Sequence, residues 1–201
     1  MKSNVKNYTT KQLLNRMKSL PSFNGMPQGH HVIVVRSNED AFNTYDDKLY
    51  LFKGDIHVAT MSCTSNSGAY GLANFVKWNK LGTAVIKFDE IYYDAFLKSD
   101  GYQVRHHNGK MQCLRQVKPL KYYRDNNKNR KIDESGQIFE GINNTNIHTN
   151  SYTARKGIVS WLIGGWSTGC TVVNNLTMYY DVLLARIDFN EPVTYTGLKE
   201  F

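Results

Sequence analysis

Near the carboxyl end of the chain, His148 in Asn146-Ile147-His148-Thr149 is separated by eighteen residues from Ser167-Thr168-Gly169-Cys170, which lies within Gly164-Gly165-Trp166-Ser167-Thr168-Gly169-Cys170-Thr171-Val172-Val173. A cysteine nucleophile needs a thiolate, an imidazole to take or balance its proton, and backbone N–H groups to hold an oxyanion. Cys170 and His148 are the residue types for the first two. Gly164, Gly165 and Gly169 allow the tight backbone that aims N–H groups at an acyl oxygen. The apolar Val172-Val173 after the cysteine offers an element to fix it. The same residues equally describe a turn and a buried cysteine beside a surface histidine, because cysteine is among the most buried residue types. Residue chemistry alone leaves the two readings level.

Such a pair must be positioned by elements built from the rest of the chain. Apolar residues Leu13, Leu14, Met17 and Leu20 follow a Thr cap at the spacing of one helix face, which predicts an amphipathic helix over 9–20. Pro21, Gly25, Pro27 and Gly29 then mark a loop. Short apolar or alternating segments recur at 31–36, 48–52, 56–61, 83–88, 102–105, 111–117 and 185–189, the signature of a mostly β fold. The run Lys48 to Ala59 predicts a hairpin turning at Gly54-Asp55. Helical spacing returns at Leu72, Phe75 and Val76 and over 174–184. The expected organisation is an N-terminal helix and loop over 1–25 and one mainly β domain, a β-rich α+β fold with a few packed helices, over 26–201.

A chain of 201 residues allows one domain of ordinary size, and 41% hydrophobic content suffices for one core. Repeat arrays and large multidomain enzymes are excluded. No apolar run approaches the ~18 residues of a membrane span. The N-terminal Met1-Lys2-Ser3-Asn4-Val5-Lys6-Asn7-Tyr8 has no apolar core, so no secretory signal is read there. With 25 Lys and Arg against 17 Asp and Glu, the net charge is +8. That charge favours an anionic partner such as a cell-wall polymer, anionic lipid or nucleic acid. The densest basic cluster, Lys118 to Lys131, carries no nucleic-acid-binding signature, so nucleic acid is the minority reading. Three cysteines without C-x-x-C spacing make neither a disulfide framework nor a zinc site. Cys63 and Cys113 sit in strand-like sequence and read as packing residues.

His148 followed by Ser167-Thr168-Gly169-Cys170 resembles the signature of the L,D-transpeptidase (YkuD-type) family, a histidine, a spacer and S-H-G-C. Asp46 to Gly54 resembles the opening hairpin of such domains, Gly82 to Lys87, Tyr92-Tyr93-Asp94 and Gly109 to Gln116 resemble a phage-associated or gut-bacterial subgroup, and the likeness spans roughly 31–190. The resemblance implies a β-sandwich or barrel acting on peptidoglycan stem peptides through an acyl-cysteine, without a required cofactor. Carried over, Cys170 is the nucleophile and His148 its base, and a carbonyl near Thr149 orients the imidazole. The N–H groups of Gly169, Cys170 and Thr168 line the oxyanion hole, and Ser167 braces the loop. The chain departs from the pattern at Thr168, where the family has a second histidine, and at Thr149 and Val172. The implied setting is a phage lysin or virion-associated hydrolase, made in the cytoplasm and reaching the wall after lysis or within a virion. Phage structural proteins are then a second class of partner. The alternative is a non-catalytic structural or wall-binding domain of a phage particle.

The aromatic residues Trp78, Trp161, Trp166 and Tyr152 could form a sugar- or peptide-binding wall; core packing describes Trp78 and Trp161 at least as well, whereas Trp166 beside Ser167 and Tyr152 are the expected substrate contacts. His106-His107 precede Asn108-Gly109, a hairpin turn pair, and His107 would touch substrate if that turn faced the cleft. Asp125, Asn127, Asn129 and Asp133 stand at positions 1, 3, 5 and 9 of a calcium-loop pattern, whose position 6 is Arg130 and position 12 Gly136. The stretch reads as an Asn/Asp-rich turn, with a structural calcium the one cofactor the loop would take.

Overall fold

The computed structural model describes residues 4–103, 110–151 and 161–201. The first element is a helix, α1 (Thr10–Lys18), whose start is fixed by a capping box: the Thr9 hydroxyl accepts from the Gln12 N–H, and the Gln12 side chain accepts from the Thr9 N–H. The strands are β1 (His30–Arg36), β2 (Asp47–Lys53), β3 (Ile56–Thr64), β4 (Thr83–Ile86), β5 (Glu90–Gln103), β6 (Lys110–Gln116), β7 (Leu120–Asp125), β8 (Phe139–Gly141), β9 (Ile147–Thr149), β10 (Thr171–Val173) and β11 (Val193–Lys199). A short helix, α2 (Ala69–Ala73), follows β3, and irregular helical turns run over Met178–Leu183 and Leu184–Arg186.

Eight strands close into a barrel in the order β1-β11-β5-β6-β9-β10-β3-β2, and β4, β7 and β8 form a separate three-stranded sheet. The fold is mainly β. Two pairs, β1 with β11 and β9 with β10, are parallel, whereas the other barrel pairs are antiparallel. The β2–β3 hairpin turns at Gly54-Asp55, as its sequence predicts, with Gly54 at φ +56.

Side-chain alternation divides the apolar residues between two sides of the barrel wall. Val32, Val34, Leu49, Leu51, Cys63, Phe96, Leu114, Ile147, Val173 and Tyr195 share one core, which the 178–187 segment joins through Tyr179, Leu183, Leu184 and Ile187. The intervening Ile33, Val35, Tyr50 and Phe52 meet Leu13, Leu14, Met17 and Leu20, so α1 lies on the outside of the barrel and shares a core with it. The apolar stretch 185–189, expected as a strand, instead contains a tight helical turn over Leu184–Arg186. Its Ile187 is buried, so the apolar pattern records burial without strand pairing.

Candidate active site

Asn146, His148, Cys170 and Val172 lie on the outward face of adjoining strands. In the parallel ladder of β9 and β10, Thr171 is opposite Ile147, Val172 opposite His148 and Val173 opposite Thr149. Ile147 and Val173 face the main core, so by alternation His148 and Val172 face the other way. Cys170, two residues before Val172, shares that face and packs with Val172, Tyr45 and Ile163 under the partly buried Trp166. A strand spacing of about 4.8 Å and an offset of about 6.6 Å put the Cα atoms of His148 and Cys170 about 8 Å apart, and Cys170 Sγ itself meets the Asn146 N–H at 3.4 Å and the Asn144 carbonyl at 3.8 Å.

The imidazole orientation is set locally. His148 Nδ1 is 2.7 Å from the Thr149 carbonyl oxygen. A carbonyl only accepts, so Nδ1 carries the proton and Nε2 is the basic nitrogen. Thr149 in turn donates its hydroxyl to the Val173 carbonyl at 2.9 Å, tying β9 to β10. Burial lowers the His148 pKa to about 4, against the raising effect of the Thr149 carbonyl. Burial likewise pushes the Cys170 thiol up to about 11, opposed by the N–H of Asn146, which donates to Sγ at 3.4 Å. The resting pair is therefore a neutral thiol and a neutral imidazole.

Gly169 sits at φ +128, and a Cβ there would meet the Ala84 carbonyl oxygen at 2.4 Å. That approach lets the Ala84 N–H bond the Thr168 carbonyl at 3.2 Å, which docks the cysteine loop on β4. Ser167 braces the loop as expected: its Oγ accepts the Gly169 N–H at 3.1 Å and donates to the Cys170 carbonyl at 2.9 Å. The same bond engages the Gly169 N–H, so Gly169 is corrected as an oxyanion donor. Of the expected trio, the N–H groups of Cys170 and Thr168 remain.

Sequence reasoning missed what holds the other end of this loop. Asn43, at φ +60, accepts the N–H of Gly164 at 2.7 Å and that of Ala69 at 3.0 Å on one side-chain oxygen. Gly68 and Gly71 bring α2 against the loop. A Cβ on Gly68 would stand 2.3 Å from the Gly164 carbonyl oxygen, and one on Gly71 2.7 Å from that of Ser167. The small-residue run Ser65 to Ala69 was the available signal for such a close approach.

Cys170 opens onto a cavity of about 360 Å³ lined by Thr168, Gly169, Thr83, Ala84, Tyr122, Arg124, Trp78 and the 142–145 segment. The small sheet thus forms one wall and the cysteine loop the other. Trp78 lines this cavity at 37% exposure, whereas the partly buried Trp166 packs against Tyr45, Ile163, Cys170 and Val172 and is not among the cavity's lining residues. Of the two readings left open for Trp161, core packing is excluded, since it is exposed. Tyr152 and His107 lie outside the described residues. Cys63 is buried in the core. Cys113, fully buried on β6, has its thiol pushed up to about 12 by burial and then by the neighbouring Cys170.

Among the described residues, no helix is long and apolar enough to cross a membrane, and no three His, Cys, Asp or Glu side chains gather to hold a metal. Compared with protein-family models, curated proteins and solved structures, the chain matches none.

Proposed function

We propose that the chain is a cysteine acyl-transfer enzyme of peptidoglycan stem peptides, an L,D-peptidase or L,D-transpeptidase of the type its His and Ser-x-Gly-Cys residues resemble. The observation that carries the reading is the common face of His148 on β9 and Cys170 one residue before β10, with Cys170 lining the cavity and His148 buried behind its wall. In the proposed reaction His148 Nε2 takes the thiol proton as Sγ attacks an amide carbonyl. The tetrahedral oxyanion is held by loop N–H groups and collapses with cleavage of the C–N bond. His148 returns the proton to the departing amine. Water then resolves the thioester as a peptidase would, or an amine as a transpeptidase would. The net charge of +8 suits approach to an anionic wall. Action by a phage lysin or virion-associated hydrolase belongs to the same proposal.

One observation favours a second reading, a non-catalytic structural or wall-binding domain of a phage particle. Burial holds both the thiol and the imidazole neutral, which a merely packed pair would also show. Digestion of muropeptide-defined peptidoglycan by wild type and Cys170→Ala, read by mass spectrometry, separates the two. The enzyme reading expects cleaved or newly cross-linked stem peptides that vanish in the variant; no products from folded protein on several wall types would favour the structural domain.

A further inference from the structure

A second polar cavity lies away from the cysteine, where the 125–133 loop meets the segments before β2 and after β3. The loop oxygens of the calcium-like pattern are mostly engaged in turns. Asn127 Oδ1 accepts the Asn129 N–H at 3.0 Å, Asn129 Oδ1 the Lys131 N–H at 2.9 Å, and Asp133 Oδ1 the Ser135 N–H at 2.9 Å. Asp133 Oδ2 accepts from Asn127 Nδ2 at 3.1 Å. Asp125 differs. It is 2% exposed, and although its carboxyl is engaged by the backbone N–H groups of Asn127 and Asp133, its Oδ1 has no hydrogen-bond partner.

Asp125 lines a cavity of about 20 Å³ together with Asp40, Asn66 and Ser67. This is room for one ion or one water. Asn66 Oδ1 and Ser67 Oγ also lack partners, in side chains 7% and 5% exposed. The Asn66 amide is oriented by its Nδ2, which donates to Asp40 Oδ1 at 3.2 Å, so its oxygen is the orphan. Asp40 Oδ2 accepts the Ile132 N–H at 2.6 Å. Three separate stretches of chain therefore bring carboxylate, amide and hydroxyl oxygens to one cavity, and three of these oxygens meet no donor. Buried acceptors without donors are costly, and a cation removes that cost while offsetting the two carboxylates. Arg130 and Lys131 also line the cavity; the Arg130 guanidinium lies over the Phe42 ring, 5.3 Å from its centre, while Lys131 and Arg36 offset part of the Asp40 charge and leave that of Asp125.

We propose that this cavity binds one calcium ion, held by oxygens of Asp125, Asn66, Ser67 and Asp40. The all-oxygen, mixed-charge set suits a hard cation that accepts six to eight oxygens in irregular geometry, and it contains no nitrogen or sulfur for zinc. The site differs from the sequence-predicted loop in keeping only Asp125 of its four residues. It is independent of the cysteine chemistry.

The test is calorimetric titration of EDTA-stripped full-length protein with CaCl2 and, separately, MgCl2, together with thermal unfolding in each. One calcium should bind, more tightly than magnesium, and raise the unfolding temperature. Asp125→Asn should weaken binding at least tenfold. Asn66→Asp, which keeps the oxygen and adds charge, should bind at least as tightly as wild type and guards against misreading a misfolded variant. Asn129→Ala should change affinity less than threefold. Absence of calcium binding by wild type would overturn the proposal and leave a water in the cavity, as would undiminished binding by folded Asp125→Asn. Equal losses in Asn129→Ala and Asp125→Asn would overturn it in favour of the loop.

Discussion

Val172 is the strand partner of His148, so Cys170, two residues upstream of Val172, shares the face of the imidazole. On the proposed mechanism, activation of a thiol held near 11 by an imidazole held near 4 is direct proton transfer within the substrate complex, because the ion pair is disfavoured at rest. A lowered histidine pKa means that the base form is present at every pH above about 4. On the proposed mechanism, kcat/KM for stem-peptide cleavage should rise as pH passes about 4 and then stay flat through neutrality. His148→Gln should lower kcat by about 10²- to 10⁴-fold. The residual rate should climb about tenfold per pH unit as thiolate forms. A pH-rate profile of both proteins checks this, and a wild-type limb near 8 to 9 would contradict it.

Gly169 has no room for a side chain and a backbone angle that favours glycine. Gly169→Ala should destabilise the protein by about 2–4 kcal/mol through strain and overpacking against Ala84. It should also displace the Cys170 loop. Urea unfolding measures the first effect and turnover at a temperature where the variant is folded the second. A variant as stable and active as wild type would refute the assigned contact.

Asn43 holds two N–H groups with one oxygen, 2.7 Å from Gly164 N and 3.0 Å from Ala69 N. Asn43→Gly keeps the positive φ accessible but removes the acceptor, so it isolates the hydrogen bonds. The expected loss is about 1–2 kcal/mol from two part-buried donors left without their acceptor, with a greater fall in kcat than rise in KM. Unfolding curves and steady-state kinetics read the two together.

Asp46 has its carboxyl pKa raised to about 7, by burial first and then by the charge of Asp47. The folded state thus keeps a proton that the unfolded chain releases near pH 4, so this group's contribution to stability is present at low pH and falls as pH rises from about 4 to 7. Asp46→Asn removes that dependence. In EDTA, its unfolding free energy relative to wild type should increase by about 1–3 kcal/mol between pH 5 and pH 8. A constant difference across that range would contradict the assignment.

Local features of the fold were legible: Thr9 and Gln12 cap a helix whose apolar spacing was regular, and Gly54-Asp55 turns the β2–β3 hairpin. Barrel closure was not, because it rests on β11 pairing in parallel with β1 across about 160 residues of chain, and no local period encodes such a partner. Strands β9 and β10 have three residues each, too few to display alternation, so the relation of His148 to Cys170 appeared only as motif spacing. Asn43 lay hidden for a similar reason. It acts on Gly164 from 121 positions away, and nothing in its neighbours distinguishes it from other loop asparagines.

The central claim is an acyl-cysteine at Cys170. Its most direct test is acid quenching of the protein during incubation with defined stem peptides, followed by intact-mass measurement and peptide mapping. The account predicts a thioester adduct on the peptide bearing Cys170, none on those bearing Cys63 or Cys113, and no adduct in Cys170→Ala. Stem-peptide turnover that persists in Cys170→Ala, or an adduct mapped to another residue, would contradict it.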